Sequence, residues 1–132
     1  MIVANRKAFE EILGMLGSAR KILVLGCNEC VTVCGAGGER EVGVLASELR
    51  IYGKKEGEPF DIREHTVERQ CDYEYIDQVR SFVDDYEVVL SMACGAGVQY
   101  VAEAYRSKVV MPAVNTTFLG VTLEQGVWSE RC

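Results

Sequence analysis

Lys21-Ile22-Leu23-Val24-Leu25-Gly26-Cys27 decides how this chain is read. Ile22 to Leu25 is a continuous apolar run of strand length, without the polar alternation of a half-exposed strand. A strand that is apolar at every position has both faces covered, which is the condition inside a parallel sheet. Downstream lies a loop from Cys27 to Gly38 with a glycine-rich end, Gly35-Ala36-Gly37-Gly38. A helix is predicted from about Glu39 to Tyr52, with Val42, Leu45, Leu49 and Tyr52 inward and Glu39 and Glu41 at the positive end of its dipole. Gly53 to Pro59 reads as a solvated turn. Phe60 to Val67 reads as a second strand nearer an edge, because it carries Asp61, Arg63 and Glu64. A helix over Asp72–Tyr86, a strand over Val88–Ala93, a helix over Val98–Tyr105 and a strand over Lys108–Met111, stopped by Pro112, continue the alternation. Upstream, Phe9, Ile12, Leu13 and Leu16 mark a first helix, with Asn5 as its cap and Gly17 as its stop. The segment from Asn115 to Cys132 contains apolar residues and Trp128 but no clear period. The helix–strand order predicts an α/β fold: a small doubly wound, Rossmann-like sheet of about four parallel strands with helices on both faces.

One domain is the expectation for 132 residues, enough to bury a core without staples. Hydrophobic content of 48% and charged content of 26% exclude a disordered or collagenous chain. A net charge of −6 without a basic run disfavours nucleic acid as a partner. The opening residues run into a charged amphipathic segment with no apolar signal region, and the apolar runs are far short of a membrane span. A cytoplasmic location follows as the expectation. In a reducing compartment, grouped cysteines point to metal or redox chemistry rather than to disulfides.

Six cysteines are present, and most fall just past the ends of predicted strands. Cys27, Cys30 and Cys34 form a C-x2-C-x3-C cluster. Cys71 follows the second strand and Cys94 closes the third. Strand ends on one side of a parallel sheet share a crevice, so these distant residues can meet there. An all-thiolate set suits an iron–sulfur cluster, while zinc takes four nitrogen or sulfur ligands. The only histidine, His65, stands in the polar edge strand and reads as a surface residue rather than a ligand. A cysteine-nucleophile enzyme would need His65 as its base, which its place does not favour. Gly26 and the Gly35–Gly38 run do not have the G-x-G-x-x-G spacing of a dinucleotide site, nor a Walker lysine. Gly26 and Gly95 instead read as places where backbone approaches a cluster, the amides of Gly95-Ala96-Gly97 being available to donate to its sulfurs.

Several blocks together resemble a known family: Val24-Leu25-Gly26-Cys27 with Cys30-Val31-Thr32-Val33-Cys34, Glu68-Arg69-Gln70-Cys71, Leu90-Ser91-Met92-Ala93-Cys94-Gly95, Asn115-Thr116-Thr117-Phe118-Leu119-Gly120, and Glu124-Gln125-Gly126-Val127-Trp128 with Glu130-Arg131-Cys132. They are similar to the MetV-type family, the small subunits of two-subunit methylenetetrahydrofolate reductases. The resemblance runs nearly end to end. It implies a non-catalytic, accessory electron-transfer subunit in anaerobic one-carbon metabolism. It implies a four-iron–four-sulfur (4Fe-4S) cluster, or zinc as the alternative, on four of Cys27, Cys30, Cys34, Cys71 and Cys94. It also implies a flavin-containing catalytic subunit as partner, with further electron-transfer subunits, and neither nucleic acid nor membrane. Members of the family usually continue into closely spaced cysteines at this point, so the resemblance implies that Cys132 is the first residue of such a motif, the chain being either truncated or a shorter natural form.

Overall fold

The computed structural model describes residues 1–131. In chain order its elements are β1 (Ile2–Arg6), α1 (Phe9–Leu16), β2 (Lys21–Cys27), α2 (Cys30–Val33), α3 (Glu39–Glu56), β3 (Asp61–Val67), α4 (Tyr73–Ile76), β4 (Val88–Ser91), α5 (Gly95–Ala104), β5 (Val109–Pro112), β6 (Val114–Glu124) and β7 (Val127–Glu130). Two short 3₁₀ turns, Asp77–Val79 and Val83–Asp85, follow α4. Cys132 lies outside the described residues.

The expected parallel sheet is present, with four strands in the order β3-β2-β4-β5. β2 is an inner strand, pairing Ile22 with Ile62 on one side and with Val88 on the other. Ile22 to Leu25 is fully buried, and the period-two geometry of a strand divides it between two cores. Ile22 and Val24, with Val88 and Leu90, pack against Ile12 and Leu16 of α1 and Val42, Leu45 and Leu49 of α3. Leu23 and Leu25, with Val89, pack against Ile76, Val79, Val83, Val101 and Tyr105 on the opposite face. Each such side chain contributes about 1.5–3 kcal/mol by leaving water, which explains why this run is apolar throughout.

α3 is held at both ends by its own sequence. The Gly38 N–H donates to the Glu41 carboxylate at 3.1 Å, acidic Glu39 and Glu41 occupy its first turn, and Lys54 and Lys55 its last. It runs past Tyr52 to Glu56 because the first residue with a left-handed conformation is Gly57 (φ 74°), not Gly53.

Three expectations are corrected. Asn5 does not cap a helix: it lies in β1, and α1 starts at Phe9. The helix expected over Asp72–Tyr86 breaks into α4 and the two 3₁₀ turns, although Ile76, Val79 and Val83 still point inward. The C-terminal segment without clear period is β6 and β7, which join β1 in a separate antiparallel sheet of order β1-β6-β7. Arg6 ties this sheet to α3 through a two-pronged ion pair with Glu48, at 2.6 and 3.3 Å. Among the described residues, no helix is long and apolar enough to cross a membrane.

The inner strands predict an asymmetric mutational response. Leu90→Ala, at a fully buried position, is expected to destabilise the chain by about 2–5 kcal/mol. Ile51→Ala, at a position 69% exposed, is expected to shift stability by less than about 0.5 kcal/mol. Urea unfolding followed by circular dichroism measures both.

Candidate functional site

Parallel pairing brings the C-terminal ends of β2, β3 and β4 to one rim. Cys27 ends β2 and stands opposite Val67, the last residue of β3. Ser91 ends β4 opposite Leu25, and the chain stays on the sheet for one more bond, Met92 N–H to the Leu25 carbonyl at 2.8 Å. From β2 the chain passes outward to β3, then returns across β2 to β4. A crevice opens where strand order reverses in this way. Here the reversal falls between β2 and β4, whose ends lead to Cys27 and Cys94. Cys94 immediately precedes α5, and Cys71 lies in the loop that leaves β3.

The third cysteine-bearing loop is folded onto the same rim. The Thr32 hydroxyl donates to the Cys27 carbonyl at 2.7 Å, and the Cys27 N–H donates to the Gly37 carbonyl at 2.9 Å. A Cβ at Gly37 would overlap the Met92 carbonyl oxygen, so only glycine lets this loop lie against the end of β4. Cys30 therefore opens α2 beside the rim.

The thiols differ in their surroundings. Cys27 and Cys94 are buried, Cys30 and Cys71 exposed, and Cys34 half-buried. Burial pushes the Cys27 thiol up from its ordinary pKa, and the neighbouring Cys71 and Cys94 push it further. Backbone hydrogen bonds from Glu29 and Gln70 act the other way. The Cys71 thiol is also pushed up, first by burial and next by Cys94. Cys30 adds to this, while the Cys71 backbone and Arg69 oppose it. Cys27, Cys30, Cys71 and Cys94 are thus electrostatic neighbours. The Cys34 thiol is engaged elsewhere, 3.3 Å from the Cys30 carbonyl and 3.4 Å from the Ile2 carbonyl of β1.

Among the described residues, no three His, Cys, Asp or Glu side chains converge on a single point able to hold a metal ion. The four rim thiols are neighbours without being gathered.

The glycines singled out from the sequence have particular neighbours. Gly26 packs beneath Val42 and Thr66, whose side chains leave no room for a Cβ. The Gly95 N–H, at the start of α5, donates to the Thr116 hydroxyl of β6 at 3.1 Å and not to a sulfur. His65 is half-buried, its ring edge-on to Phe82 at 5.3 Å between centroids. Burial, followed by the charge of Arg63, lowers its pKa.

Two residues of the rim escaped sequence reasoning. Gln70 and Ser91 are both fully buried polar side chains, hydrogen-bonded to each other at 2.6 Å. The available signals were a serine interrupting the apolar run Val88–Ala93 and a glutamine directly before Cys71. No family model, curated protein or solved structure was found to match this chain.

The raised thiol pKa values set a direction for pH dependence. A thiol whose pKa is higher in the folded chain holds its proton there while the unfolded chain releases its own. Its stabilising contribution is complete below the ordinary thiol range and is lost as pH rises through that range toward the raised value. The metal-free chain is therefore expected to unfold at lower urea concentration as pH rises from about 7 to 10, across the ordinary thiol pKa. Cys27→Ser should flatten that dependence. An unchanged slope in the variant would remove Cys27 as its source.

Proposed function

We propose that this chain is the accessory electron-transfer subunit of a methylenetetrahydrofolate reductase, acting in the cytoplasm with one 4Fe-4S cluster held by Cys27, Cys30, Cys71 and Cys94. The observation that supports the reading is the placement of these four cysteines, drawn from three separate loops, along one sheet rim, where Cys71 and Cys94 raise the pKa of Cys27, and Cys94 and Cys30 that of Cys71. The donor set fits: it is all sulfur, it numbers four, and two of its members are buried. Cys34 is the spare among five candidates, because its thiol is turned to the β1 backbone. The strand order, with its reversal between β2 and β4, is read as a doubly wound, Rossmann-like arrangement.

Bound in this place, the cluster would supply one-electron transfer to or from a partner's flavin. The chain's own contribution is to bury one side of the site with Cys27 and Cys94 and leave the other side, with Cys30 and Cys71, open to a partner. Backbone N–H groups of Glu29 and Gln70 favour the ionised form of Cys27. Folate and flavin belong to the catalytic subunit in this reading.

A second observation favours a protein partner. The β6–β7 hairpin exposes Leu119, Val121, Leu123, Val127 and Trp128, and Met1 is exposed beside Trp128. Grouped apolar surface of this kind marks interaction sites.

Anaerobic purification of the chain followed by iron and acid-labile sulfide analysis tests the proposal. The expected result is a brown protein with about four iron and four sulfide per chain. Serine at Cys27, Cys30, Cys71 or Cys94 should lower that content, and Cys34→Ser should leave it unchanged. A colourless protein with one zinc, no iron and no sulfide would overturn it in favour of a structural zinc subunit that docks its partner without redox work.

A further inference from the structure

We infer that Gln70 is a positioning residue, a side-chain clamp that locks the Cys71 loop to the two strands leading to Cys27 and Cys94; as a statement about a metal centre this rests on the reading proposed above. Its amide Nε2–H donates to the Leu25 carbonyl of β2 at 2.7 Å. Its Oε1 accepts from the Ser91 hydroxyl of β4 at 2.6 Å. The Ser91 oxygen in turn accepts the Ala93 N–H at 3.4 Å. Leu25 lies just upstream of Cys27, Ser91 just upstream of Cys94, and Gln70 directly precedes Cys71. One amide therefore joins all three rim segments, and it does so with no exposed surface.

The surroundings are arranged for this contact. A Cβ at Gly97 would press on the Gln70 Cβ and overlap that of Ala93, so the first turn of α5 closes over the clamp only with glycine there. The Leu25 carbonyl takes both the Gln70 amide and the Met92 N–H, which uses both of its lone pairs. An apolar side chain would fill the same space without the burial penalty of an amide. What the amide adds is direction: two hydrogen bonds at opposite ends of one rigid plane fix where the loop sits along the rim. Side chains that orient metal ligands from one shell further out act in this way, and their loss typically lowers metal affinity 10–100-fold.

The test compares the wild-type chain with Gln70→Met, which keeps volume and removes both bonds, and Ser91→Ala, which removes one. Cadmium(II) is the probe, with affinity measured by chelator competition and followed by thiolate charge-transfer absorption. Amide hydrogen exchange of the metal-free chains is read over residues 68–72, and urea unfolding reports global stability. For Gln70→Met the expected result is about a tenfold or greater loss of cadmium affinity, with faster exchange confined to 68–72. Ser91→Ala should show a smaller loss in the same direction, and it carries the test if Gln70→Met does not fold. Wild-type affinity in the folded variants would overturn the inference, because a merely structural glutamine would change stability alone. If the wild-type chain binds no cadmium, the metal-centre reading fails separately. The clamp then stands or falls on exchange: faster exchange at 68–72 in the variants upholds it, and unchanged exchange overturns it.

Discussion

Everything at the rim depends on the main-chain ladder that holds β2 between β3 and β4. Seven residues of β2 pair in register with seven of β3, and four pair with β4. Parallel pairing aligns all three strands in one direction, so their C-terminal ends emerge on the same side. A shift by one residue would turn Ile22 and Val24 toward the core now filled by Leu23 and Leu25. Burial of four consecutive side chains on alternating faces makes such a shift costly. Register is therefore set by packing, and the rim inherits its geometry from register.

The rim also shows how a polar device is kept inside an apolar core. Among the described residues, Gln70 and Ser91 are the buried polar side chains, and each has its hydrogen-bonding groups engaged. A satisfied pair of this kind costs little, whereas either partner alone would leave an unpaired group in the interior. Close backbone approaches at Gly37 and Gly97 bring the Cys30 loop and α5 within reach of the same strands. The cysteines at the rim are thus placed by their scaffold.

The second sheet has a different basis. β1 and β6 meet from opposite ends of the chain, and Met1 donates its terminal amine to the Gly120 carbonyl at 2.6 Å. The beginning of β6 is anchored, with Val114 buried and Thr116 bonded to Gly95. Beyond Gly120 the hairpin leaves the body, and its apolar residues stand on both faces. Leu119, Val121 and Leu123 do alternate along β6, but all three are exposed, and the pairing register with β7 shifts between Thr122 and Glu124.

Local pattern carried the parallel sheet, because a strand buried on both faces must be apolar throughout, and the start and inward stripe of α3, though not its C-terminal end at Glu56. It also placed Cys27, Cys71 and Cys94 at or after the C-terminal ends of β2, β3 and β4, because parallel strands end on the same side. It did not carry β1, read as a helix start, because five residues declare no partner more than a hundred positions away. It did not distinguish Cys34 from Cys30, which are equivalent by spacing. That distinction comes from the direction of one thiol toward the Ile2 carbonyl of a strand in another sheet. Nor did it single out Gln70, whose role exists only once β2, β4 and the Cys71 loop are assembled. Composition and periodicity determine which residues must leave water and which strands can be inner ones. Which side chains then face one another is decided by tertiary packing, because hydrogen bonds and thiol neighbourhoods act over a few ångströms and have no signature in linear distance.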